Sequence, residues 1–167
     1  MLNNLSSYKK NSILYLIVIA AGIFFDQLSK LLVVAYLKPI YDLPLIKGVF
    51  HFTYSENRGA AFGMLSNDRW VFMLVSTIMI VGMCAYLFYP KKQMGQLFCV
   101  AMAAVVSGGI GNMIDRVFLG YVVDFLNFKL INFAIFNVAD SFVCVGAGFM
   151  ALALILEIIK EAKAKKE

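Results

Sequence analysis

Four carboxylates stand among apolar neighbours, where a charge is expensive to hold. They are Asp26 in Phe24-Phe25-Asp26-Gln27-Leu28, Asp115 in Met113-Ile114-Asp115-Arg116, Asp124 in Val122-Val123-Asp124-Phe125, and Asp140 in Asn137-Val138-Ala139-Asp140. An ionisable group in an apolar span is a functional candidate by default. Two carboxylates that share a site can divide acid–base work: one stays ionised and takes a proton from water, the other stays protonated and donates to the scissile carbonyl. Asp124 and Asp140 are the candidates for such a pair. Each also has a plain structural reading. Asn137 fits a helix N-cap, which makes Asp140 a capping-box acid on the first turn. Asp26 and Lys30 are spaced i, i+4 and can form a helix-stabilising ion pair. Asp115 adjoins Arg116, and an ion pair fixing that turn is the favoured reading of the two.

Other chemistries have little support. The sequence holds no GxSxG motif and no serine with an evident base. His51 reads as a surface residue of a strand. Cys84, Cys99 and Cys144 lie in apolar runs, odd in number and without CxxC spacing, which argues against disulfides and zinc. The glycine-rich run Gly108-Gly109-Ile110-Gly111 lacks the GxxxxGK[ST] pattern of a phosphate loop. With Ala103, Ser107 and Gly111 spaced by four, it reads as a small-residue stripe that admits a neighbouring helix.

The elements that must carry these groups follow from hydropathy. The chain has 167 residues, 62% hydrophobic and 15% charged, with a mean hydropathy of +0.81. Soluble domains average about 25% charged residues, so the sequence excludes an ordinary soluble protein. A bilayer core of about 30 Å needs about 20 apolar residues, and four stretches qualify: residues 13–36, 70–89, 97–114 and 139–159. The expectation is an all-α membrane protein, one unit over residues 1–167, with four transmembrane helices. Eight of the fifteen basic residues (Lys9, Lys10, Lys91, Lys92, Lys160, Lys163, Lys165, Lys166) fall on one side with three acids, a net +5, while the remainder sums to zero. The positive-inside rule then places both termini in the cytoplasm and the loops 37–69 and 116–138 outside. The first span reads as a retained helix rather than a cleaved signal peptide.

In the outer loops, Phe50, Phe52 and Tyr54 alternate with His51, Thr53 and Ser55, and Gly120–Phe125 is strand-like. A small extracytoplasmic β-sheet is expected, able to cradle a peptide or lipid. Helical rise puts Asp26 about 20 Å and Lys30 about 25 Å from Ile13, in the outer part of the bilayer. Asn112, Arg116, Asp124 and Asp140 gather at the same end. A transporter or proton relay using the same acids is the alternative, although the sequence has no inverted repeat to support it.

Five ordered motifs carry a resemblance: Asp26-Gln-Leu-Ser-Lys30, Asn57-Arg-Gly59-Ala60-Ala61-Phe62, the run Gly108 to Arg116 ending Gly-Asn-Met-Ile-Asp-Arg, Val123-Asp124-Phe125, and Phe136-Asn137-x-Ala139-Asp140. Together they resemble the bacterial lipoprotein signal peptidase family, signal peptidase II, over essentially the whole chain. The resemblance implies a membrane-embedded aspartic endopeptidase with Asp124 and Asp140 as the catalytic pair. It implies that Asn57, Gly59, Asn112, Arg116, Asn137 and Ala139 line or shape the site, supported by Asp26 and Lys30. The implied substrate is a diacylglyceryl-modified prolipoprotein, cut just before its lipidated cysteine. A monomer in the bacterial cytoplasmic membrane, its site near the outer leaflet, is expected. No metal or organic cofactor and no nucleic-acid partner is expected. The polar side chains of Asn57, Asn112 and Asn137 are expected to hold water at the dyad.

Overall fold

The computed structural model describes residues 2–59, 69–89 and 94–165. Residues 60–62 of the second motif, residues 90–93 of the basic turn, and Lys166 lie outside the described residues. Among the described residues are four α-helices and one small sheet: α1 (Leu2–Leu32), β1 (Asp42–Ile46), β2 (Phe50–Asn57), α2 (Arg69–Phe88), α3 (Gln96–Phe118), β3 (Val122–Asn127) and α4 (Val138–Ala164). The first helix widens into a π-helical turn at Val33–Leu37.

The burial pattern identifies the solvent. Phe24 and Phe25 are 60% and 57% exposed, while the adjacent Asp26 is fully buried. In water that order would be inverted; in a bilayer apolar side chains face lipid and polar groups pair inside. Three stretches are long and apolar enough to cross a membrane, Asn11–Leu37, Gln96–Phe118 and Val138–Ala164. α2 is helical over 20 residues, Arg69–Phe88, and its apolar stretch among the described residues is Met73–Phe88. Among the described residues, three clear spans therefore stand where four were expected.

α3 is the central helix and packs against α1, α2 and α4. Its small residues permit this. A Cβ on Gly108 would land on the Ala139 carbonyl of α4, and one on Gly111 would lie 2.5 Å from Asp26 Oδ2 of α1. Ser107 in turn fills the space beside Gly22. The expected stripe thus serves two helices at once. The apolar core toward the other end of the bundle gathers Tyr15, Ile19, Leu87, Phe98, Cys99, Met102, Ala103 and Val106. The three cysteines are free thiols.

The sheet is antiparallel in the order β1-β2-β3. β2 and β3 match the strand-like patterns in the sequence; β1, with Pro44 in its centre, was not foreseen. Proline is admissible there because β1 is an edge strand. The apolar face expected in β2 is present, with Tyr54 buried and Phe52 packed beside it, but the polar face is covered as well. His51 and Thr53 are buried, while Phe50 and Phe52 are only half-buried. His51 is therefore not a surface residue. Its Nδ1 lies 2.8 Å from Asp42 Oδ2, and its Nε2 accepts the Gly48 N–H at 3.2 Å. Thr53 donates to Asp42 Oδ1 at 2.5 Å and accepts from Asn127 at 2.9 Å. A polar cluster spanning three strands makes it favourable to bury that face. On the other face, Leu37, Tyr54, Val123 and Phe125 form a second core beneath the π-helical turn.

Candidate active site

Asp124 sits on β3 opposite Ser55 of β2, with Asn57 paired to Val122 in the same ladder. The carboxyl is 2% exposed. Asn57 ends β2 and folds its Oδ1 onto the Gly59 N–H at 3.0 Å, an Asx turn that fixes the amide's orientation. Its Nδ2 is thereby free to donate to Asp124 Oδ2 at 2.9 Å.

Asp140 comes from the first turn of α4. Asn137 is the N-cap, and its Oδ1 accepts the Asp140 N–H at 2.9 Å while Asp140 Oδ2 accepts the Asn137 N–H at 3.2 Å. The capping box read from the sequence is therefore present, and it leaves Asp140 half-buried. Asn137 also joins the two acids. Its Nδ2 donates to Asp124 Oδ1 at 2.7 Å and to Asn112 Oδ1 at 3.0 Å. Asn112 Nδ2 then donates to Asp140 Oδ1 at 2.7 Å. Capping and acid–base chemistry, weighed above as alternatives for Asp140, are compatible in one geometry.

The electrostatics separate Asp124 from an ordinary surface carboxylate. Burial, and next the neighbouring charge of Asp140, push Asp124 up from 3.8 to about 7, against the opposing hydrogen bonds of Asn57 and Asn137. A carboxyl so placed holds its proton near neutral pH and can donate it. The three asparagines expected at the water site each donate to one of the two carboxylates.

Behind the dyad, Lys30 Nζ lies 2.9 Å from Asp26 Oδ2, 3.1 Å from Asp115 Oδ2 and 3.0 Å from Asn112 Oδ1. The i, i+4 pair is present, and Asp115 completes it. Asp115 does not pair with Arg116 as expected: consecutive helical residues diverge by about 100°, so Asp115 faces α1 and Arg116 faces away. Arg116 donates to the Gly59 carbonyl at 3.4 Å and to the Asn112 carbonyl at 3.3 Å. Ala139 is fully buried, and its N–H donates to Asp26 Oδ1 at 2.9 Å.

All ten residues singled out in the sequence thus fall in one hydrogen-bonded region at the junction of the sheet with α1, α3 and α4. Two participants were missed as such. Gln27 Nε2 reaches Asp26 Oδ2 and Asp115 Oδ1 at 3.1 Å and the Gly111 carbonyl at 3.2 Å. Asp115 was assigned the wrong partner. Its i, i+3 spacing from Asn112, which places both on one helix face, was the available signal. Among the described residues no cluster of three or more His, Cys, Asp or Glu side chains is arranged to hold a metal ion.

Comparison with known proteins bears on this geometry. Residues 18–156 match the family model described as signal peptidase (SPase) II. The lipoprotein signal peptidase of Caldanaerobacter subterraneus is 46% identical over 142 residues, 85% of this chain and 96% of that protein. That of Halalkalibacterium halodurans is 42% identical over 156 residues, 92% and 97% of the two chains. A bacterial membrane enzyme solved by the in meso method at 2.3 Å superposes with a TM-score of 0.76 at 29% identity, over 92% of each chain.

Proposed function

The chain belongs to the bacterial lipoprotein signal peptidase family, signal peptidase II, and from that premise we propose that Asp124 and Asp140 are its catalytic pair. It is a multi-pass bacterial membrane protein and an aspartic endopeptidase that removes the signal peptide from diacylglyceryl-modified prolipoproteins. The transporter alternative gives way to that membership.

The observation that carries the assignment is Asn137, which donates to Asp124 from its side chain and to Asp140 from its backbone. One residue thereby fixes both acids relative to each other. In the proposed reaction one carboxylate takes a proton from water, and the hydroxide attacks the carbonyl just before the lipidated cysteine. The other acid donates its proton to the carbonyl oxygen; as the tetrahedral intermediate collapses it takes that proton back, and the first acid passes the proton taken from water to the leaving amine. Asp124, raised to about 7, is suited to begin as the donor. Asn57 and Asn112 hold the outer oxygens, while Gly59, Arg116 and Ala139 shape the walls. Asp26 and Lys30 support the site from behind.

The single unit of residues 1–167 carries a fourth crossing in α2, which spans if flanking residues such as Trp70 and Tyr89 sit at the interfaces. Both termini then lie in the cytoplasm and the sheet outside, with the dyad at the depth of the outer leaflet. A signal peptide is itself a membrane helix with its lipidated cysteine at that leaflet, so the acids stand at the depth of the bond to be cut. The enzyme acts as a monomer without metal or cofactor. The test is purified protein in detergent with a diacylated prolipoprotein, scored for a mass loss equal to the signal peptide. The parent should show that loss and Asp124→Asn and Asp140→Asn should not. Cleavage by either variant at the parental rate refutes the pair.

A further inference from the structure

The residues just before the two acids are held in the same way. The N–H of Val123, which precedes Asp124, donates to Asp115 Oδ2 at 3.0 Å. The N–H of Ala139, which precedes Asp140, donates to Asp26 Oδ1 at 2.9 Å. Lys30 Nζ lies between those two carboxylates, at 2.9 and 3.1 Å. Its third proton goes to Asn112, which donates to Asp140. Asp26, Lys30 and Asp115 are 0%, 3% and 3% exposed, so solvent does not screen the arrangement and little room is left for it to drift. Gln27 ties the same two carboxylates together a second time.

We propose that Asp115, through Lys30 and Asp26, sets the separation of the catalytic acids: each carboxylate grips the backbone one residue before a dyad member, and the shared ammonium fixes the distance between the grips. These are positioning residues, and the inference rests on the assignment of Asp124 and Asp140 as the pair. The ion pair is otherwise hard to justify on stability grounds, since a buried pair does little better than a well-packed apolar replacement. Here it does something an apolar pair cannot, because it accepts two backbone N–H groups on separate elements. Displacement of a reacting group by about 1 Å costs on the order of 100-fold in rate.

The experiment compares Lys30→Met, Asp115→Leu and Asp115→Asn with Asp124→Asn and Asp140→Asn. The readouts are kcat, KM and the pH profile on a synthetic diacylated lipopeptide in detergent, with rates normalised to the folded fraction. Lys30→Met and Asp115→Leu should lose about 10- to 100-fold in kcat, with KM within about threefold of the parent. The two limbs of their pH profiles should draw together, because acids held less closely couple less. Asp115→Asn keeps an oxygen for the Val123 N–H and should recover most of the kcat lost in Asp115→Leu. Should the Met and Leu variants not fold, Asp115→Asn decides alone: its grip on Val123 remains but its charge on Lys30 is gone, so a kcat close to the parent's with a narrowed profile at unchanged KM is expected, and a parental profile overturns the proposal. Folded variants with parental kcat per molecule, or with only KM changed, also overturn it. If Asp124→Asn or Asp140→Asn turns over normally, the dyad assignment fails and the clamp with it. If both are inactive while the Met and Leu variants behave as the parent, the clamp alone fails.

Discussion

Replacing Asp124 with asparagine asks directly whether the buried carboxyl is protonated in the folded enzyme. Its value moves from 3.8 to about 7 on folding, through burial and then the charge of Asp140. The folded state therefore binds this proton more tightly than the unfolded state. Below pH 4 both states are protonated and the site contributes no pH-dependent difference. Between 4 and 7 the unfolded chain releases the proton while the folded chain keeps it, so stability falls as pH rises, and the full penalty is reached above 7. About three pK units at 1.36 kcal/mol each amount to about 4 kcal/mol. Asparagine cannot ionise and escapes the penalty, though it leaves either Asn57 or Asn137 without its acceptor. That loss does not vary with pH, so the pH dependence isolates the electrostatic part. The assay is reversible unfolding of both proteins in one detergent from pH 4 to pH 8. The stability of Asp124→Asn relative to the parent should rise by about 4 kcal/mol over this range, most steeply between 5 and 7. A difference that stays flat, or falls with pH, would mean that Asn57 and Asn137 hold Asp124 ionised throughout, and the donor role would pass to Asp140.

Turnover should fall as pH rises through about 7, where the pair loses its working proton, and again in acid; a rate that keeps climbing to pH 9 would contradict a shared proton. Each dyad asparagine variant should lose about 100- to 10,000-fold in kcat while remaining folded in the membrane. Gly108→Ala places a methyl on the Ala139 carbonyl and should cost about 1–3 kcal/mol in detergent unfolding, whereas Gly82→Ala, with nothing within 4 Å, should be neutral; equal stability of the two would refute the close packing of α3 on α4. Asp42 is held down to about 2 by the Thr53 hydroxyl, then by His51, so its contribution to the sheet is present above pH 4 and lost as pH falls toward 2. Asp42→Asn should therefore speed hydrogen exchange in β1 and β2 at pH 6 and change it little near pH 2.

What the sequence disclosed about the site was what local geometry determines. Asn137 and Asp140 are three residues apart before an apolar run, so the capping box could be read directly. Asp26 and Lys30 are one helical turn apart, and the stripe from Ala103 to Gly111 follows from period four. The remainder depends on contacts between distant segments. Asp115 meets Lys30 across 85 positions of chain, and a nearer arginine drew the expectation to itself. His51 looked like a solvated strand residue because its partner Asp42 lies on β1, a strand whose proline hid it. The length of α2 is the opposite case. Its apolar composition was read correctly, and the helix that forms, Arg69–Phe88, covers residues 70–88 of the stretch that hydropathy marked, because that pattern is local.

The capping box has a consequence for biogenesis. Asp140 lies in the first turn of the last helix, and its partner acid is only sixteen positions earlier, while the groups that hold them, Asp26 and Lys30, are in the first helix. A ribosome inserts these segments in order. Until α4 has entered and closed its first turn, the nascent chain has one acid, no Asn137 to join it to a second, and an Asp26 without the Ala139 N–H that α4 supplies. No partly inserted intermediate contains a complete dyad. On the proposed pair, peptidase activity arises in one step, with the last helix, and a chain truncated anywhere before it should cleave no prolipoprotein.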